Sequence, residues 1–377
     1  MGFLVNHNVL TKGWKYFDIM HKDRQVARIY ENGKSSIKYP SYLPYNLCFE
    51  KGDDIDTRLN NLDNFYSWCS ARVLTLDRKY AKEILNVIGA NQSITDKGRA
   101  AIAISYHGLS LTDVYWIRAC KETTSFDKLN LYNHSLSTAF ADVSLRGRGL
   151  TLQNAEFFLT QDVAGDVATP GVAPKAWIRE NGKFYLLKDG DERDVEAELL
   201  ASKIVGCFDV NHVPYEEHNF NGVKVSKCKI ITSENKSIVP FEFIRVYCDN
   251  HNKNRFEFVL KKDKYSYYMM NIIDYLIGNT DRHWGNWGFF VDNDTNKIQD
   301  LYPLMDFNKS FLAYDNIDGA KCQTVEKTMS QREAAISAVK EVGLNQISEV
   351  NEDWFSDSQM KNMFFARLNV LKEINNT

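Results

Sequence analysis

Nothing in this chain pairs or clusters its cysteines. There are seven, at positions 48, 69, 120, 207, 228, 248 and 322. None forms a C-x-x-C pair, and an odd, scattered set suits reduced thiols in a cytosolic protein better than a disulfide framework. The eight histidines make no metal-ligand cluster, which speaks against a structural or catalytic zinc. No apolar stretch approaches the length that spans a bilayer. The start, MGFLVNHNVLTKG, has no basic segment followed by an apolar one, so no secretory leader is expected there. Gly2 does not make a myristoylation site, because Asn6 stands where Ser or Thr is required. Lys and Arg form no sustained run, so a dedicated nucleic-acid surface is not indicated. The GKS at 33–35 is no phosphate loop, since Arg28 occupies the place of its first glycine.

What is present is ample material for folding. The chain has 377 residues, 44% of them apolar, with a formal net charge of −3. That length fits two domains, or one large domain with an elaboration.

One stretch concentrates chemistry. Residues 278–308 read GNTDRHWGNWGFFVDNDTNKIQDLYPLMDFN. Phosphoryl transfer needs one carboxylate to orient the acceptor hydroxyl and take its proton. It also needs an amide oxygen and a second carboxylate to hold magnesium against the phosphates. Asp281, Asn286 and Asp306 supply those oxygen types in that order. An apolar helical run ends at Gly278-Asn279, residues that tolerate the left-handed conformation. Two short strands follow, from Gly288 to Val291 and from Ile298 to Met305, around a turn at 292–296. Such a hairpin would bring Asn286 and Asp306 together. An Asx-rich surface loop is the plain alternative for any one of these residues.

The string NTDRHWGN resembles the catalytic loop of the HipA-like serine/threonine kinases, whose core is N-x-D-x-H-x-x-N, and DFN at 306–308 resembles their metal-binding segment. In ordinary protein kinases the histidine precedes the aspartate, whereas here it follows. DRHxxN also occurs in phosphoinositide kinases, which leaves the acceptor open.

The resemblance implies an α+β, bilobal protein-kinase-like fold with an N-terminal mixed, mostly helical subdomain. The expected domains are an accessory region at 1–150, a small lobe at 151–250 and a large, mainly helical lobe at 251–377. It implies ATP and Mg2+ as cofactors, with Asp281 as the catalytic base and Asn286 and Asp306 at the metal. Lys188, at the end of a strand, is the expected contact to the α- and β-phosphates. Glu198 on the next helix is its expected partner, ahead of Glu196, because ELLASKIVG resembles the family's corresponding helix. Gly171 and Lys175, in GVAPK, occupy the place of the family's phosphate-loop segment. Relatives are switched off by phosphorylation in that loop. Thr169 is the one hydroxyl residue within 162–174 and is the regulatory candidate.

The implied activity is transfer to a protein Ser or Thr, with self-phosphorylation and a toxin–antitoxin setting in which the antitoxin is a separate protein. A phosphoinositide or small-molecule kinase on the same core is the alternative, although few basic residues lie in 309–330. A nucleotide-binding pseudokinase acting as an interaction module is another.

Periodicity and turn signals predict further elements. Hairpins are expected at the Asn-Gly pairs of 32–33, 181–182 and 221–222. Helices are expected at 59–73, 80–88, 96–106, 135–143, 194–205, 329–342 and 353–374, and after Ser110 through LTDVYWIRAC. The run 238–247 reads as a buried strand, and Tyr115, Trp116 and Trp68 read as core.

Overall fold

In the computed structural model, residues 16–74, 76–87, 92, 95–133, 144–145 and 173–376 are described. The expected helix at 135–143, Thr169 and Gly171 lie outside them. The architecture is mixed α+β, as expected, and divides into two compact units.

The first unit comprises Met1–Lys188, Ile230–Ser237 and Val291–Lys297. It opens with β1 (Tyr16–His21), β2 (Arg24–Tyr30) and β3 (Ser35–Ile37). The Asn32-Gly33 signal is met: Gly33 has φ +81°, and the Tyr30 amide donates to the Lys34 carbonyl at 2.8 Å. Three helices follow, α1 (Ile55–Ser70), α2 (Ala81–Val87) and α3 (Asp96–Ser105). Asp54 caps α1 through the Thr57 amide and Thr95 caps α3 through the Gly98 amide, so both starts follow from side chains that satisfy otherwise orphaned donors.

The segment after Ser110 is not a helix. Tyr115–Ala119 is a strand, β4, antiparallel to β1, and completes a sheet in the order β3-β2-β1-β4. Ser110 is engaged with the Thr112 hydroxyl at 2.7 Å instead of capping, and Asp113 receives the Tyr115 amide at 2.9 Å in a turn. The aromatic and β-branched residues of YWIRA then pack on a sheet, which outweighs their helical spacing. Trp116, Trp68 and Phe65 are buried in one core with Ile19 and Val26, so the aromatic cluster is core as expected. A short helix, α4 (Phe126–Leu129), follows, and the hairpin β5 (Lys175–Glu180) and β6 (Lys183–Lys188) ends the main segment of this unit. Asn181 and Gly182 turn it with φ values of +50° and +77°.

The second unit comprises Asp189–Lys229, Ile238–Phe290 and Ile298–Thr377. It begins with α5 (Glu192–Val205), capped by Asp191, and the hairpin β7 (Glu216–Phe220) and β8 (Val223–Lys229). The next strand, β9 (Lys236–Pro240), is shorter than expected, and Phe241–Asn250 is a helix, α6. Pro240 has no N–H for a ladder and its φ of −60° suits a helix start, so the apolar run 238–247 changes structure at that residue.

At the centre of this unit is α7 (Arg255–Ile277), buried without interruption from Met269 to Ile277. It breaks at Asp263 (φ −155°, ψ 82°), whose carboxylate caps the second half through the Ser266 amide at 3.0 Å. Strands β10 (Gly288–Asp292) and β11 (Lys297–Leu301) follow, in a sheet of order β11-β10-β9. A Cβ on Gly288 would lie 2.2 Å from the Val239 carbonyl oxygen, so the close approach of β10 to β9 requires glycine there. Helices α8 (Gln331–Val342) and α9 (Ser358–Asn375) pack on α7, the first opened by a capping box of Ser330 and Glu333.

Candidate active site

The polar loop 279–286 is built by the end of α7. Gly278 is left-handed (φ 58°, ψ 41°), and its amide and that of Asn279 return to the Tyr275 and Asp274 carbonyls. A Cβ at Gly278 would meet the Tyr314 ring at 2.5 Å. Asn279 is 1% exposed. Its side-chain oxygen accepts the Asp281 amide at 3.1 Å, a local turn that lifts Asp281 out of the helix line. The Thr280 amide donates to the Lys309 carbonyl at 3.2 Å, which ties this loop to the segment after Asp306.

Arg282 is 2% exposed and organises the loop. Its Nε and Nη2 donate to the buried Asp274 carboxylate at 3.0 and 3.1 Å. Its Nη1 donates to two main-chain carbonyls, Asn286 at 3.0 Å and Met305 at 2.6 Å. One guanidinium therefore fixes the residue that ends the loop and the residue that precedes Asp306. Burial opposes the Arg282 charge, but Asp274, by charge and hydrogen bonds, and Asp306, by charge, raise its pKa above the usual guanidinium value. Only a planar, permanently charged fork makes these contacts together.

Asp281, Asn286 and Asp306 are brought together. The Asn286 amide nitrogen donates to the Asp281 carbonyl at 2.7 Å and lies 3.5 Å from its carboxylate. Burial raises the Asp281 carboxyl above the ordinary aspartate range; His283 pulls it down, Asp306 adds to the rise, and Arg282 and Lys309 oppose it. Arg282, next to Asp281 in the chain, binds the main chain at Asn286 and at Met305, the neighbour of Asp306. Asp306 has φ +63°, unusual for a residue with a Cβ, and its amide donates to the Tyr215 hydroxyl at 3.2 Å. Held left-handed backbone of this kind concentrates at functional sites.

Glu198 is 1% exposed. It accepts the Phe307 amide at 3.4 Å and a short hydrogen bond from the Ser226 hydroxyl. Phe307, fully buried, meets the Tyr215 ring edge-on at 6.1 Å. Glu196, by contrast, is exposed and pairs with Lys224. One turn earlier on α5, Asp194 forms an ion pair with Lys309 at 2.5 Å. Helix α5 is thus fastened twice to the segment that carries Asp306.

In the first unit, the β5–β6 register sets Lys175 directly opposite Lys188, and each is 6% exposed. A plain surface role for either is therefore excluded. Arg78, 2% exposed, donates to the Lys175 carbonyl at 2.6 Å.

Asp281, Asn286 and Asp306 are candidates from the sequence; the residues that hold their segments in place are not. Arg282 and Asn279 lie inside the recognised string, Asn279 as part of the expected helix end and Arg282 with no role assigned. Asp274 lies in the apolar helical run, and Tyr215 carries no motif. Arg78 comes from a region in which no functional residue was expected, 97 positions from its acceptor. Only the helix-end spacing of Asp274 and Arg282 offered a signal.

No group of three or more His, Cys, Asp or Glu side chains among the described residues is arranged to hold a metal. No helix among the described residues is long and apolar enough to cross a membrane.

No family model matches this chain, and no curated protein sequence matches it. Its solved structural neighbours include kinases. One is the proinflammatory kinase CtkA of Helicobacter pylori, at 16% identity and TM-score 0.43, covering 54% of this chain and 90% of that one. Another is from the toxin–antitoxin system HipA, HipB and its operator DNA complex of Shewanella oneidensis MR-1, at 12% identity and TM-score 0.48, covering 83% and 88%. The second carries the family name that the 279–286 motif resembles. Likenesses at this level assign neither a residue role nor a substrate.

Proposed function

We propose that the chain is a HipA-like kinase that transfers the γ-phosphoryl group of ATP, with Mg2+, to a Ser or Thr hydroxyl of a protein. The observation that carries this reading is the convergence of Asp281, Asn286 and the Asp306 segment on one buried arginine.

Asp281 is the base. It accepts the proton of the acceptor hydroxyl as that oxygen bonds to the γ-phosphorus and the bond to the ADP oxygen breaks. The Asn286 amide oxygen and the Asp306 carboxylate are hard donors of the type Mg2+ prefers, and they are the residues that would hold it. When bound, the ion neutralises the phosphate charge. Arg282 keeps those two donors in register, since it grips the main chain at 286 and next to 306. Lys188 contacts the α- and β-phosphates, and Glu198 is its partner. Lys175 and Gly171 form the phosphate-side loop. Lys175 and Lys188 stand opposite one another across β5 and β6, which suits two contacts to one string of phosphates. Thr169 is the regulatory hydroxyl.

The same reading gives a bilobal kinase with an accessory subdomain at 1–150, a small lobe at 151–250 and a large lobe at 251–377. Its partners are the protein acceptor and a separate antitoxin or regulator, with no direct nucleic-acid or membrane role. The seven free cysteines suit the cytoplasm.

The test is incubation with γ-labelled ATP and Mg2+, with generic protein and lipid vesicles as acceptors and mass spectrometry of the chain itself. Transfer that Asp281→Asn abolishes supports the reading. Transfer retained in that variant sinks the assignment, and label entering only lipid moves the acceptor to another class.

A further inference from the structure

The proposed chemistry uses both open ends of the β10–β11 hairpin and leaves its turn without a task. Residues 293–296 close that hairpin, and two of them, Asn293 and Asn296, are 2% and 4% exposed. A turn that only reverses the chain keeps its asparagines in water. The two residues between them, Asp294 and Thr295, are exposed in that way.

Each asparagine is engaged inside the first unit, to which Val291–Lys297 belongs. The Asn293 side-chain nitrogen donates to the Glu234 carbonyl at 3.0 Å and the Ser233 carbonyl at 3.4 Å, and its side-chain oxygen accepts the Ser237 hydroxyl at 2.7 Å. The Asn293 amide donates to the Asn235 carbonyl at 3.1 Å. The Asn296 side-chain nitrogen donates to the Ser41 and Leu43 carbonyls at 3.0 and 3.4 Å, and its side-chain oxygen accepts the Tyr115 hydroxyl at 3.0 Å. Its main-chain carbonyl accepts the Tyr45 hydroxyl at 2.7 Å. Asn296 is left-handed, with φ +54°, a conformation that asparagine tolerates. Both side chains spend two donors and an acceptor, and burial makes each of those bonds costly to lose. Asn293 directly follows β10 and Asn296 directly precedes β11, so each strand is held at one fixed residue.

The hairpin has little else to set its register. Its loop is longer than the two-residue Asn181-Gly182 turn between β5 and β6, and lacks that tight geometry. On β11 the buried residues are Ile298 and Leu301, three positions apart. The period-two burial that specifies register is missing from that strand.

Register matters here because of what the strands lead to. Asn286 stands two positions before β10, and Asp306 five positions after β11. A slip of one residue moves one strand past the other by about 3.3 Å. Magnesium holds its oxygens at about 2.1 Å in near-octahedral order, so the two donors would no longer share an ion. Arg282 grips the open end of the hairpin at Asn286 and Met305. The asparagines grip the closed end.

We infer that Asn293 and Asn296 are positioning residues for the metal pair: they pin the register of the β10–β11 hairpin and so keep Asn286 and Asp306 at one ion. The first unit contains neither of those donors, and it takes part in the reaction through this turn. The inference rests on the kinase reading for the ion, and not for the register.

The test uses the full chain and two readouts. Amide hydrogen exchange without metal or nucleotide follows Tyr302, whose amide donates to the Gly288 carbonyl at 3.0 Å across the hairpin. Electron paramagnetic resonance follows Mn2+ binding with a non-hydrolysable ATP analogue. Asn293→Ala and Asn296→Gly should each speed Tyr302 exchange by about tenfold or more. Each should weaken Mn2+ by about tenfold, the low end of what losing ligand-orienting contacts costs. Glycine takes a positive φ freely, so Asn296→Gly removes the side chain and spares the turn. Tyr115→Phe keeps its buried ring and should move both readouts the same way by a smaller factor, which serves if an asparagine variant does not fold. Asp294→Ala removes an exposed ion pair with Lys22 from the same turn and should move neither. Unchanged exchange in the asparagine and Tyr115 variants overturns the inference. So does faster exchange with wild-type Mn2+ affinity, or an Asp294→Ala effect of equal size. If the wild type binds no Mn2+–nucleotide and transfers no phosphate while the variants still exchange faster, the register pins stand and the kinase reading falls. If the wild type transfers phosphate and the variants keep its Mn2+ affinity, the reverse holds.

Discussion

Each unit contains a buried aspartate held by arginine, and the two are used differently. In the first unit, Asp18 on β1 is 2% exposed and receives Gln25, Arg28 and Arg118. Those partners stand on β2 and β4, and both arginines are a quarter exposed. The carboxylate joins three neighbouring strands through side chains alone. In the second unit, Asp274 is 4% exposed and receives Arg282, which is equally buried. Here the guanidinium continues to the carbonyls of Asn286 and Met305. The first network fastens elements that already form a ladder. The second fixes segments that have no ladder of their own. Backbone without regular partners needs an external donor to hold one conformation, and that is where the candidate chemistry lies.

The same substitution in both places should separate the roles most sharply. Asp281→Asn is expected to lower phosphotransfer by about a thousandfold or more with little change in melting temperature. Asp18→Asn should leave transfer intact and lower stability by about 1–3 kcal/mol, since its arginines can turn to water. Parallel activity and thermal-unfolding measurements check both, and activity loss in Asp18→Asn would erase the contrast.

Exchanging the arginines is the next test. Arg282→Lys keeps the charge but cannot reach a carboxylate and two carbonyls at once. It should cost about 3 kcal/mol of stability and reduce transfer by about tenfold to a hundredfold. Arg28→Lys should cost under about 1 kcal/mol and spare activity.

Acid should expose the first unit. His21 is buried between Tyr42 and Tyr115. Burial lowers its pKa to about 4, over the opposing pull of Asp113 and with help from Lys22 and Arg24. The unfolded chain takes up this proton near pH 6.5 and the folded chain only near 4, so stability falls as pH drops through that window. At pH 5 the loss is about 2 kcal/mol. His21→Phe should remove that part of the slope in melting temperature against pH, without altering transfer at neutral pH.

The smallest expected effect is at Glu198. Ser226→Ala removes a buried hydrogen bond to that carboxylate. It should cost about 1 kcal/mol and raise the KM for ATP several-fold with kcat little changed. An unchanged KM would separate Ser226 from the nucleotide.

Local chemistry was read well from the chain and non-local chemistry poorly. The Asn-Gly turns, the Thr95 cap and the Gly278 helix end depend on residues within a few positions of one another, whereas the start of α1 at Ile55, capped by Asp54, lies four residues before the expected one. The strand β4 was mistaken for a helix because its pairing partner β1 lies almost a hundred residues earlier. The run 238–247 was taken as one strand because periodicity does not show a switch that a proline imposes. Among the site residues, Asp281, Asn286 and Asp306 stood out by type and order. Arg282 did not, because a loop arginine is marked as buried only by the acceptors that surround it.

The sequence by itself determined which donor atoms the candidate site contains: two carboxylates, an amide and a glycine-ended helix ahead of them. These are properties of residue type and short spacing. The tertiary structure alone decided that Arg282 faces inward and that Asp306 is held left-handed. It also decided that Lys175 stands opposite Lys188, and that Asn293 and Asn296 are buried. Each of those depends on partners distant in the chain, and burial gives a polar group its energetic weight only once the fold has closed around it.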